Sequence, residues 1–81
     1  MIIAGERHLD FLGRRNVAQF HTVEQDGKQF WLYEFVTVTT KNGRSIRGQI
    51  AYISEQRIDI FPEYGIGAAK EIKFEDIENI S

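Results

Sequence analysis

The stretch from Phe35 to Ile50 constrains this chain more than any other. Val36-Thr37-Val38-Thr39-Thr40 places apolar side chains at every second position, Asn42-Gly43 follows, and Ser45-Ile46-Arg47-Gly48-Gln49-Ile50 resumes the alternation. Period-two alternation gives a strand one inward face. An Asn-Gly pair between two such runs is the strongest short-range hairpin signal, because a type I′ turn needs positive φ at both central residues. Gly48 falls inside the second strand, where a missing side chain allows a sharp bend or the close approach of another backbone. The pattern predicts a mainly β fold, a small and strongly bent antiparallel barrel.

The flanking segments extend this reading. Leu9 and Leu12, with Phe11 beside them, have helical spacing, and Gly5 and Gly13 limit them to a short N-terminal helix of about two turns. Val17 to Val23 reads as a strand, and Asp26-Gly27 supplies a second hairpin turn. Gln29 to Thr40 is rich in β-formers and reads as one long strand shared by two hairpins. Its even positions Phe30, Leu32, Val36 and Val38 are apolar but Glu34 interrupts them, which predicts a bulge and a bend between Tyr33 and Val36. Further along, Ile46, Ile50 and Tyr52 alternate with polar residues, as do Ile58 and Ile60, then Glu71 to Phe74. Phe74, Ile77 and Ile80 recur every three residues, which suits a short C-terminal helical turn better than a strand.

At 81 residues, with no repeat or linker-like tract, the chain reads as a single domain, residues 1–81, with one small core and little surplus for a deep cleft. No cysteine is present, so disulfides, thiolate metal sites and thiol catalysis are excluded. That fits a reducing cytoplasm. No apolar run approaches the roughly 18 to 20 residues that span a bilayer, which predicts a protein with no membrane partner. The net charge of −2 gives no general attraction to nucleic acid, but it is unevenly distributed: residues 1–50 carry +2 and residues 51–81 carry −4.

The residues Val36-x-Val38, Asn42-Gly43-Arg44, Ile46-x-Gly48-x-Ile50, Ile53, Ile58-x-Ile60 and Ile72-x-Phe74-x-x-Ile77 together resemble the Sm-like, SH3-type small barrel. Within that class the pattern over residues 35–80 is most similar to the C-terminal half of the YolD-like family of small bacterial and phage proteins. The resemblance implies a small-barrel fold. It carries no Sm-type RNA site across, because the Asp and Asn of that family would fall near Ser54 and between Arg57 and Ile58, where neither occurs.

Two surfaces are candidates for function. Trp31, Tyr33 and Phe35 share one parity of the Gln29–Thr40 strand, opposite the core-facing set, and an uncovered aromatic face marks a protein-interaction surface. The competing expectation is that Ile2 to Val23 fold back over these rings. Lys41, Asn42, Arg44, Arg47 and Arg57 gather around one hairpin end, where cations near aromatic rings can bind phosphates and stack bases. Against this stands the plainer reading of charges that keep a turn soluble. Glu71, Glu75, Asp76 and Glu78 form an acidic segment without the spacing of a calcium loop. His8 and His21 lack metal-ligand spacing, and Ser45 and Ser54 have no adjacent base. Gly65-Ile66-Gly67 lacks the Lys-Ser/Thr of a phosphate loop. The sequence therefore predicts no enzyme and no cofactor. It predicts an interaction module that binds a protein partner or forms a homo-oligomer, with a nucleic-acid-binding regulatory protein as the alternative.

Overall fold

The computed structural model describes residues 1–8, 19–64 and 67–81. These form two antiparallel sheets. The smaller has the order β1-β2-β3, from Ile2–His8 (β1), Gln19–Gln25 (β2) and Lys28–Trp31 (β3). The larger has the order β7-β6-β5-β4-β8, from Phe35–Thr40 (β4), Ser45–Ile53 (β5), Arg57–Pro62 (β6), Lys70–Lys73 (β7) and Ile77–Ile80 (β8). A single 3₁₀ turn, Phe74–Asp76, separates β7 from β8. The sheets share one core. Val23 and Phe30 from the smaller meet Val36, Val38, Ile50, Ile53, Ile58, Ile60, Ile72, Ile77 and Ile80 from the larger.

The fold is mainly β and antiparallel, and among the described residues no hydrogen-bonded ladder joins β7 to β8 to close a barrel. The expected N-terminal helix is also corrected in part, because Ile2–His8 is a strand paired along β2. Leu9, Phe11 and Leu12 lie outside the described residues, as does the start of the Val17–Val23 segment. No described helix is long and apolar enough to cross a membrane.

Three local irregularities account for the other departures. Gln29–Thr40 is two strands, because a turn at Leu32–Glu34 breaks it and passes the chain from the small sheet to the large one. Tyr33 occupies this turn with φ at 74°. In β5, Ile50 pairs with Ile60 but Tyr52 pairs with Asp59, so Ala51 is an extra residue in the ladder. The bulge turns Tyr52 outward and Ile53 into the core. In β8, Asn79 pairs with Thr39 and Ile77 with Thr40, which makes Glu78 the extra residue. Ile77 and Ile80 thereby both face inward although three positions apart, so of the segment read as a helical turn Phe74–Asp76 is a 3₁₀ turn and Ile77–Ile80 a bulged strand.

Gly48 is where two backbones meet. It pairs with Pro62, and a Cβ placed on it would lie 2.0 Å from the carbonyl oxygen of Phe61. Only glycine permits β6 to approach β5 this closely. The two hairpin turns differ from each other. Asp26 and Gly27 both have positive φ, 51° and 84°, as a two-residue type I′ turn requires. At Asn42-Gly43 only Gly43 does, at 89°; its N–H donates to the Thr40 carbonyl and the Thr40 N–H donates to the Arg44 carbonyl. This is the longer hairpin with a glycine bulge, not the expected type I′ turn.

Candidate functional site

Alternation along β4, β5 and β6 directs Val36, Gly48, Ile50 and Ile60 inward, and therefore Phe35, Gln49 and Phe61 outward. Phe35 pairs with Gln49, and Gln49 pairs with Phe61. These three residues make one row across the sheet, with the two rings about 10 Å apart at ordinary strand spacing. Phe35 is 57% exposed and Phe61 51%. Beside the row stands Tyr33, 64% exposed, whose carbonyl accepts a hydrogen bond from Gln49 Nε2 at 2.9 Å.

The turn that presents Tyr33 is held from several directions. Tyr33 N–H donates to the Ile50 carbonyl at 2.8 Å, and Ile50 N–H donates to the Glu34 carbonyl at 3.0 Å. Glu34 closes the turn twice: its N–H donates to the Trp31 carbonyl at 3.0 Å, and its Oε1 accepts from Trp31 N–H at 2.9 Å. Glu34, which interrupts the apolar parity of the sequence, is thus the residue that locks the bend.

Trp31 belongs to a different surface. It pairs with Thr22 in the small sheet and is 48% exposed, while its neighbour Phe30 enters the core. Trp31, Tyr33 and Phe35 are all exposed among the described residues, but the break between β3 and β4 places them on two sheets. Phe61 joins Phe35 although nothing in its own segment marks it. The pairing register of β5 with β6 was the missing signal.

The basic candidates divide as well. Arg47 Nε lies 3.0 Å from Glu63 Oε2, and its Nη1 donates to Thr37 Oγ1 at 2.9 Å. Arg57 Nε donates to Asp59 Oδ1 at 3.0 Å, and its guanidinium lies 5.1 Å from the centre of the Tyr52 ring. The hydrogen bond to Asp59, with further attraction from Asp59 and Glu71, holds the Arg57 pKa above the ordinary arginine value. Both arginines are neutralised locally on the outer face of the sheet. Lys41, Asn42 and Arg44 instead border a recess of about 610 Å³ opposite Lys70 on β7. Among the described residues none of the three cations Lys41, Arg44 and Lys70 is within ion-pair distance of a carboxylate.

The acidic C-terminal segment does not converge on one point. Glu71 and Asp76 border that recess, and with Glu75 they border a second one of about 790 Å³ beside Ser54 and Arg57. Among the described residues no group of three or more His, Asp or Glu side chains is placed to hold a metal ion. Comparison of the chain with protein-family models, with curated proteins and with solved structures gave no match.

Proposed function

We propose that this chain is a non-catalytic interaction module that binds a protein partner or a second copy of itself through the aromatic outer face of the large sheet. The observation that carries this reading is the exposed row Phe35–Gln49–Phe61 with Tyr33 beside it. Exposed rings on the outer face of a sheet supply large contact area at low conformational cost, and aromatic residues are enriched where interfaces concentrate binding energy. The neighbouring charges are already paired, Arg47 with Glu63 and Arg57 with Asp59, so a partner need not desolvate a free cation there. The strand order, the 3₁₀ turn and the close approach at Gly48 support reading the large sheet as an open relative of the Sm-like, SH3-type barrel.

Light scattering across a dilution series tests the self-association version, and mass spectrometry of co-purifying proteins tests the partner version. Phe35→Ser and Phe61→Ser should reduce association while the fold persists, because both rings lie outside the core. A wild-type chain that stays monomeric, with co-purifying proteins unchanged by these substitutions, would overturn the reading. The second reading, nucleic-acid binding, is favoured by the cations Lys41, Arg44 and Lys70 around one recess, none of them ion-paired among the described residues. It requires binding to single-stranded or duplex nucleic acid at low salt, about 50 mM, that falls steeply as salt rises. Loss of that binding in Lys41→Gln/Arg44→Gln would support it, and no binding at low salt would exclude it.

A further inference from the structure

The two edges of the large sheet are finished differently. On β8, the Gln25 carboxamide takes both the Glu78 carbonyl, to which its Nε2 donates at 3.0 Å, and the Ile80 N–H, from which its Oε1 accepts at 2.7 Å. That edge is sealed. On the other side of the sheet β7 pairs with β6 alone. Phe74 N–H donates to the Gln56 carbonyl at 2.8 Å, so by alternation the backbones of Ile72 and Lys70 also point toward β6, and those of Glu71 and Lys73 point away. The Lys73 carbonyl closes the first turn of the 3₁₀ segment Phe74–Asp76. The N–H and carbonyl of Glu71 and the N–H of Lys73 are left without a hydrogen-bond partner among the described residues.

This open edge borders the recess of about 610 Å³ that Lys41, Asn42 and Arg44 share with Lys70. Side chains alternate along β7, so Lys70 and the buried Ile72 lie on one face, and Glu71 and Lys73 on the other. Of the two carboxylates at the rim, Glu71 lies 4.0 Å from Arg57 Nε, which leaves Asp76 against three cations, none of them ion-paired among the described residues. We infer that the β7 edge binds an extended acidic peptide as a sixth strand of the five-stranded sheet. Main-chain bonds to Glu71 and Lys73 supply the docking, and side chains at alternate positions supply the selectivity. In antiparallel register the peptide residue opposite Ile72 is aliphatic, the next, opposite Glu71, is uncharged, and the one opposite Lys70 is acidic. A second acidic residue two positions further on keeps to the same face as the first. A nucleic acid suits the recess less well, because no aromatic ring borders it to stack a base, and a phosphate backbone has no match for the donor and acceptor of Glu71.

The site is separable from the aromatic face, because none of Tyr33, Phe35 and Phe61 borders the recess. The probe is an acetylated and amidated peptide, Thr-Thr-Val-Thr-Glu-Thr-Glu, titrated into the full chain and followed by amide chemical shifts and hydrogen exchange. A second peptide carries lysine in place of both glutamates. The glutamate peptide should bind saturably and slow exchange of the Glu71 and Lys73 N–H groups. Lys70→Gln/Arg44→Gln should weaken that binding about fivefold or more. Phe35→Ser/Phe61→Ser should leave it unchanged, which separates failure here from failure of the aromatic face. All four side chains are exposed, so both variants keep the fold. Absence of saturable binding would overturn the inference, as would equal binding of the lysine peptide or binding that leaves the Glu71 N–H exchanging as before. A single-stranded oligonucleotide that displaces the peptide and binds the recess more tightly at about 50 mM salt would assign the cations to nucleic acid instead, and overturn it too.

Discussion

Tyr33 is held where a glycine would sit without cost. Its φ of 74° lies in the left-handed region, which crowds Cβ against the backbone and costs of the order of 1–3 kcal/mol for a non-glycine residue. Hydrogen bonds with Ile50, Gln49, Glu34 and Trp31 over-determine the turn and keep the strain in place. Replacing Tyr33 by glycine relieves the strain but adds backbone entropy to the unfolded chain, about 0.5–1 kcal/mol. The net expectation is that Tyr33→Gly stabilises the fold by about 1 kcal/mol, read as a higher urea midpoint, while it weakens association through the aromatic face. A lower midpoint would mean that the exposed ring packs more than it strains. Gly48 is the opposite case. Its φ lies outside the left-handed region, but a Cβ at this position would meet a backbone oxygen at 2.0 Å and Ile60 Cγ2 at 2.8 Å, and a carbonyl cannot rotate away as a side-chain tip can. Gly48→Ala should therefore separate β5 from β6 and cost about 3 kcal/mol or more, visible in the same midpoint.

At the scale of elements, the β4–β5 hairpin shows what periodicity conveys and what it omits. Alternating Val36, Val38, Ile46 and Ile50 made both strands and their inward faces legible, and Gly48 announced a close approach, because these depend on side-chain volume at fixed spacing. The turn type was not legible, since Asn-Gly serves both a two-residue turn and the longer glycine-bulge turn; the choice depends on where pairing stops, at Thr39 with Ser45. Bulges were legible only where they disturbed a pattern. Glu34 betrayed the break after β3, whereas the extra residues Ala51 and Glu78 left apolar spacing that resembled a regular strand and a helix. The exposed rings of Trp31, Tyr33 and Phe35 followed from parity, but Phe61 and Gln25 act through partners remote in sequence, which no local spacing reveals. The glycine-bulge turn makes its own prediction. Gly43 has φ at 89°, and a Cβ there would have no neighbour within 4 Å, so Gly43→Ala meets only backbone strain and should cost about 1–2 kcal/mol. Its midpoint should fall between those of wild type and Gly48→Ala. If Gly43→Ala is the more damaging, the hairpin turn and not the close approach at Gly48 controls the sheet.

At the scale of the whole molecule, the question is whether the two sheets are one folding unit. Each alone is poorly provided. The small sheet contributes Val23 and Phe30 to the core, and the large sheet leaves those positions uncovered if the small one departs. Gln25 adds a polar link across the same boundary, bonding Glu78 and Ile80. Burying an apolar side chain of this size contributes about 1.5–3 kcal/mol, and a domain this short has a total stability of only about 5–15 kcal/mol. Losing Val23 and Phe30 together would remove a large fraction of it, so neither sheet should persist without the other. The single tryptophan allows a direct check, because Trp31 lies in the small sheet and reports it alone by fluorescence, whereas far-ultraviolet circular dichroism reports all strands. Urea unfolding should give coincident transitions by the two probes, with a slope near the lower end of the usual range, about 1 kcal/mol per molar. A fluorescence transition that precedes the dichroism transition would show the small sheet leaving first.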